Sequence, residues 1–187
     1  MNVYYISILS DDSDFRRTVL KTLVFPPDWK IKVKEWKPLI NPSIHGTNHH
    51  HMHTSQKQTA DVLIALSPKR LHYKTIKGKR VYFSVTFIDR TPPLILIDPY
   101  NYMYGVKQSG LSIEKYRSYV IIHEFLHAIG FDHLPCRAGK VCPVLYQMTR
   151  GIPKNSKPSF HVTSSDRKSK CRKGVSSQLC RERLRSK

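Results

Sequence analysis

The sequence predicts an α+β domain: a twisted sheet of about five strands packed by two or three helices, with a basic segment at its C-terminal end. Three observations carry this. Five short β-branched or apolar runs alternate with turn residues, apolar positions recur at helical spacing in two segments, and the composition changes after residue 150. A chain of 187 residues suits one hydrophobic core, and 40% apolar with 24% charged residues reads as globular with polar extensions.

The elements follow in order. Val3 to Leu9 is β-branched and aromatic and reads as a strand. Asp11, Asp12 and Asp14 offer N-caps for a helix over roughly 14–24, where Phe15, Val19, Leu20 and Leu23 fall on one face; Pro26 and Pro27 end it. Trp29 to Trp36 alternates apolar and charged residues, as a half-buried strand does. Residues 38–58 read as a loop containing His45, His49, His50, His51 and His53; compositional bias and metal capture are both open readings of that cluster. Ala60 to Leu66 is a continuous apolar run suited to a central strand. A turn over Lys77–Arg80 leads into a strand over Val81–Ile88, and Pro92-Pro93 separates it from a short buried strand, Leu94–Ile97. Tyr100 to Gly110 reads as a loop. The longest helix starts at an N-cap, Ser112, and Gly130 stops it; Tyr116, Val120, Ile121, Phe125, Leu126 and Ile129 form its buried face. Residues 1–150 are the expected domain. Over 150–187, twelve Lys and Arg stand against two acids, a net +10 of the chain's +19, so 151–187 reads as a partly disordered basic extension with a helix from about Ser164.

The charge suits polyanions, so nucleic acid is an expected partner of the basic segment. No apolar run approaches the ~20 residues of a membrane span. The N-terminal stretch lacks a basic start and reads as a strand rather than a signal peptide, so an intracellular address and reduced thiols are expected for Cys136, Cys142, Cys171 and Cys180. Cys136 and Cys142 bracket a short loop beside His133 that a disulfide would brace.

The chemistry concentrates in the helix. His123 and His127 are four residues apart, hence one turn apart on one face, where both can hold one metal ion. Gly130 permits a sharp turn that returns His133 as a third ligand, and three protein ligands with an open position describe a catalytic zinc site. Glu124 stands beside the metal without being a ligand, placed as the general base that takes a proton from the attacking water. Helix amphipathicity alone does not explain a glutamate there.

The run His123–His133 has the form HExxHxxGxxH and resembles the signature of the metzincin zinc peptidases, which a methionine-containing turn follows. The resemblance implies a mixed sheet with one antiparallel edge strand, here Val81–Ile88, that binds extended peptide by strand addition, and one catalytic Zn2+. A closer resemblance is to the small metzincin-like DUF3152 domains. It is carried by Tyr116-Arg117, then Cys136, Gly139, Pro143-Val144 and Gln147-Met148-Thr149, over about residues 94–150. Where that family has methionine after Pro-Val, this chain has Leu145, so either Leu145 or Met148 supplies the floor of the turn. Tyr146 and Met148 are auxiliary site candidates, Tyr146 either as a fifth ligand or oxyanion donor or as a packing residue. The expected activity is zinc-dependent endopeptidase action on protein or peptide substrates. The alternative is a nucleic-acid-associated protein with structural zinc, or one whose proteolysis is directed at DNA-bound proteins.

Overall fold

A computed structural model of the chain describes residues 1–36, 59–71, 73–76 and 78–172. The chain runs β1 (Asn2–Ile8), α1 (Ser13–Thr22), β2 (Ile31–Glu35), β3 (Val62–Leu66), β4 (Tyr73–Ile76), β5 (Lys79–Tyr82), β6 (Val85–Phe87), β7 (Leu94–Ile97), α2 (Pro99–Tyr104) and α3 (Ile113–Ala128). The expected α+β architecture is present. A five-stranded mixed sheet in the order β2-β1-β3-β7-β6 is parallel except at its last pair, where β6 runs antiparallel to β7.

Local chemistry explains the elements. Asp12 caps α1, its carboxylate accepting from the backbone N–H groups of Asp14 and Phe15 at 2.9 Å each. Phe15 and Val19 then turn inward, and Phe15 meets Tyr102 edge-on. Strands β3 and β7 lie inside the sheet and carry buried Ile64, Ile95 and Ile97, so their apolar runs need not alternate. Tyr4 of β1 packs edge-on against Phe125 of α3, with ring centroids 6.0 Å apart, and α3 lies against β6 and β7.

Four details differ from the sequence reading. The expected strand Val81–Ile88 is two strands: β5 pairs with β4 in a separate hairpin, and only β6 forms the edge of the main sheet. The break falls at Phe83, which is buried, and Ser84, whose hydroxyl accepts the Asp98 N–H at 3.0 Å. The expected loop Tyr100–Gly110 contains α2 and a 3-10 turn, Lys107–Ser109. Asp98 caps α2 through the Asn101 N–H and Pro99 opens it, a start signal that the tyrosine-rich composition masks. The expected helix near Ser164 is only a 3-10 turn, Asp166–Lys168, among the described residues. The expected reduced thiols are corrected as well: Cys136 and Cys142 form a disulfide, and Cys171 is disulfide-bonded.

The β4–β5 hairpin is anchored by stacking. The Arg70 guanidinium lies over the Tyr82 ring at 3.5 Å and the Tyr100 ring at 4.2 Å, and Asn101 donates to the Tyr82 carbonyl at 2.8 Å. Residues 151–172 lie against the rest of the domain: the Arg172 N–H donates to the Gly130 carbonyl, and the Asp132 N–H to the Ser169 hydroxyl. Helix α3 packs against α1, α2, β6 and β7, and every position from Tyr119 to Ala128 is buried. The His45–His53 cluster and the basic residues after 172 lie outside the described residues. No helix among the described residues is long and apolar enough to cross a membrane.

Candidate metal centre and cleft

Helix α3 ends in a way that builds the site. Gly130 has φ +99°, its N–H donates to the His127 carbonyl at 3.0 Å, and the Phe131 N–H donates to the Leu126 carbonyl at 2.9 Å. This pair of bonds is the Schellman arrangement, which needs a residue at positive φ and so selects glycine. The chain reverses there and brings His133 beside His127.

The ring nitrogens of His123, His127 and His133 converge. His127 Nε2 lies 3.1 Å from His123 Nε2 and 3.1 Å from His133 Nε2. The opposite nitrogens fix the protonation. His123 Nδ1 lies 2.8 Å from the Val144 carbonyl and His127 Nδ1 lies 2.7 Å from the Phe131 carbonyl. A carbonyl only accepts, so each Nδ1 carries the hydrogen and each Nε2 presents a lone pair. Lone pairs at such spacing repel unless a cation lies between them. A cation about 2.0–2.1 Å from each nitrogen in tetrahedral geometry separates its ligands by roughly 3.3 Å, close to the spacing observed. The triad could therefore hold a metal ion.

The environment keeps the three imidazoles neutral. Burial, then the neighbouring His133, pushes the His123 pKa down to about 3. Burial and the two other histidines hold His127 well below the usual imidazole range. His133, the most exposed of the three, is lowered by burial and by the nearby Arg172. Neutral imidazoles are what a metal requires.

Glu124 is buried beside the triad and lines the cleft that also exposes His127 and His133. Burial raises its pKa to about 7, against the lowering effects of the Thr86 hydroxyl and of Arg172. That hydroxyl donates to Glu124 Oε2 at 2.6 Å and lies 3.1 Å from the Glu124 carbonyl oxygen. Thr86 is on the edge strand β6, so strand and helix are joined at the glutamate.

The residues behind the histidines form a buried, hydrogen-bonded floor. Pro143–Tyr146 is a tight turn closed by the Tyr146 N–H to the Pro143 carbonyl at 3.0 Å, and Val144 and Leu145 at its centre are fully buried. Leu145, not Met148, thus sits in the turn whose Val144 carbonyl holds His123. Met148 is buried one turn later, its N–H donating to the Tyr119 hydroxyl at 2.9 Å. Tyr146 lines the cleft, and its carbonyl accepts from the Tyr119 hydroxyl at 3.0 Å.

Asp166 underlies this turn. Its buried carboxylate accepts from the N–H groups of Val144, Leu145 and Thr163 and from the Thr163 hydroxyl, at 2.7–3.2 Å. Burial raises its pKa although these four bonds oppose the rise. Sequence reasoning found neither Thr86 nor Asp166, and no spacing signal pointed to them.

Over residues 11–175 the chain matches the model of a family described as a protein of unknown function (DUF3152), so the similarity extends well beyond the stretch around the helix. No curated protein and no solved structure matches.

Proposed function

We propose that this chain, which belongs to the DUF3152 family, is a zinc-dependent endopeptidase. The observation that carries the reading is the convergence of three imidazole Nε2 atoms, two of them on rings whose Nδ1 is bonded to a backbone carbonyl, beside a buried carboxylate in a cleft of about 700 Å³. His123, His127 and His133 would hold one zinc ion, whose Lewis acidity lowers the pKa of a water molecule toward neutrality. Glu124 accepts the proton of the attacking water and returns it to the leaving amine. The Thr86 hydroxyl fixes Oε2 of that carboxylate and leaves the other oxygen for the proton. The outer side of β6 offers its backbone to an extended peptide, as strand addition requires. Tyr146 lines the cleft wall, which supports a role as oxyanion donor. The disulfide bonds favour an oxidising compartment over the reducing cell interior.

The test is metal analysis combined with cleavage of a proteome-derived peptide library. Wild type should contain about one zinc per chain and cut peptides, while Glu124→Gln keeps the metal and loses cleavage. Cleavage by Glu124→Gln at the wild-type rate would refute the mechanism. A second reading, attachment to nucleic acid through the basic C-terminal segment with zinc structural or proteolysis directed at DNA-bound proteins, has the net +10 of residues 150–187 in its favour. DNA affinity measured at about 0.15 M salt decides it: micromolar or tighter binding supports the reading, and none refutes it.

A further inference from the structure

The cleft beside the triad is lined by three cations, Lys74, Arg150 and Arg172, and by one carboxylate, Glu124. All three cations act on the His133 ring, so they surround one end of the site rather than scatter over the surface; Asp132 is the opposing charge there. Asp132 is occupied locally, its carboxylate accepting the His133 N–H at 2.8 Å, and it is not part of the cleft wall. The three cations come from separate parts of the chain: strand β4, the 3-10 turn after the Pro143–Tyr146 turn, and the segment that returns over Gly130.

Two of them are held in place. Arg150 lies over the Phe83 ring, with its guanidinium carbon 5.7 Å from the centroid. Arg172 is anchored through its backbone to Gly130, the residue that positions His133. Arg172 Nη1 is buried and has no hydrogen-bond partner among the described residues, and none of the three cations has an ion-pair partner there. A buried guanidinium nitrogen without an acceptor is costly and calls for a partner, which a bound anion can supply. A guanidinium presents planar donors that match a carboxylate.

We propose that this end of the cleft binds a substrate carboxylate, so that the enzyme selects peptides bearing an acidic group next to the bond placed at the triad. The proposal rests on the peptidase reading for the role of the bound peptide, but the carboxylate site itself does not depend on turnover. A side-chain Asp or Glu and a free C-terminus share this chemistry.

The test uses the full chain carrying Glu124→Gln, loaded with zinc, so that bound peptides stay intact. Fluorescence anisotropy at about 0.15 M salt compares labelled peptides that differ only in Glu against Gln. The acidic peptide is expected to bind about tenfold more tightly, the scale of one charge-assisted hydrogen bond, and adding Arg172→Gln should shrink the difference to about twofold. Arg150→Gln, which leaves the Gly130 contact untouched, should reduce it as well. Amidating the C-terminus of both peptides assigns the source: affinity unchanged by amidation means a side-chain carboxylate, whereas equal Glu and Gln binding that weakens about tenfold on amidation means a terminal one. Equal binding of the Glu and Gln peptides with no loss on amidation would overturn the proposal, and so would displacement of the acidic peptide by equimolar short duplex DNA. If wild type nevertheless cleaves library peptides, the peptidase reading survives that outcome. If the carboxylate preference holds but wild type cleaves nothing, the peptidase reading fails alone.

Discussion

Thr86→Val tests whether the edge strand sets the catalytic base. Valine matches threonine in shape, so the substitution removes a hydroxyl without opening a cavity. The bond lost is short, 2.6 Å, and both partners are buried, so water does not replace it. A hydrogen bond to a charged group contributes about 1.5–3 kcal/mol, and this one orients the carboxylate proposed to move the proton. If it is fully expressed in the transition state, kcat falls about 10- to 150-fold, while KM changes little because the Thr86 side chain, turned to Glu124, does not hold the peptide and its backbone is unchanged. The assay is steady-state hydrolysis of an internally quenched peptide, with zinc content and thermal unfolding measured on the same preparations. Thr86→Ser, which restores the hydroxyl, should recover activity to within about threefold of wild type. A valine variant with wild-type kcat and normal zinc content would show that the Thr86–Glu124 contact has no part in catalysis.

Two further outcomes are expected. Asp166→Ala removes the acceptor of four hydrogen bonds beneath the turn that holds His123. It should cost about 3 kcal/mol in chemical unfolding and weaken zinc binding about 10- to 100-fold in competition with a chromophoric chelator; unchanged metal affinity would mean that the turn does not orient the ligand. Zinc at about 100 times its dissociation constant should stabilise the chain by about 2.7 kcal/mol, a rise in Tm of roughly 5–10 °C. His127→Ala should abolish that rise, and a metal-dependent shift persisting in the variant would place the ion elsewhere.

The parts of the site that lie close in sequence were legible, and those assembled by folding were not. The triad is read from eleven consecutive residues because helix geometry and one glycine turn relate His123, His127 and His133 directly. Strands β1, β3 and β7 were visible as apolar runs bounded by turn residues, and β2 as an alternation of apolar and charged residues. Val81–Ile88 was misread because apolar alternation continues across Phe83 and Ser84, while the break comes from a tertiary bond to Asp98. Thr86 lies 38 residues from Glu124 and Asp166 lies 21 from Leu145, and neither position carries a pattern that distinguishes it from any surface threonine or aspartate. The segment after residue 150 looked like a tail because charge dominates its composition. Yet Asp166 and Ser169 there are buried, and two polar residues in a basic stretch leave no hydrophobic period to detect.

The Cys136–Cys142 bridge spans five consecutive exposed residues, 137–141, on the connection from His133 to the Pro143–Tyr146 turn. Under the proposed peptidase reading, other copies of the chain can reach this exposed stretch. A nick anywhere between the two cysteines leaves the severed ends covalently joined. His133 on one side and the carbonyl that orients His123 on the other would keep their separation, and the cut would show on a gel only after reduction. The bridge thus makes the loop expendable as a continuous chain while the site it borders stays whole.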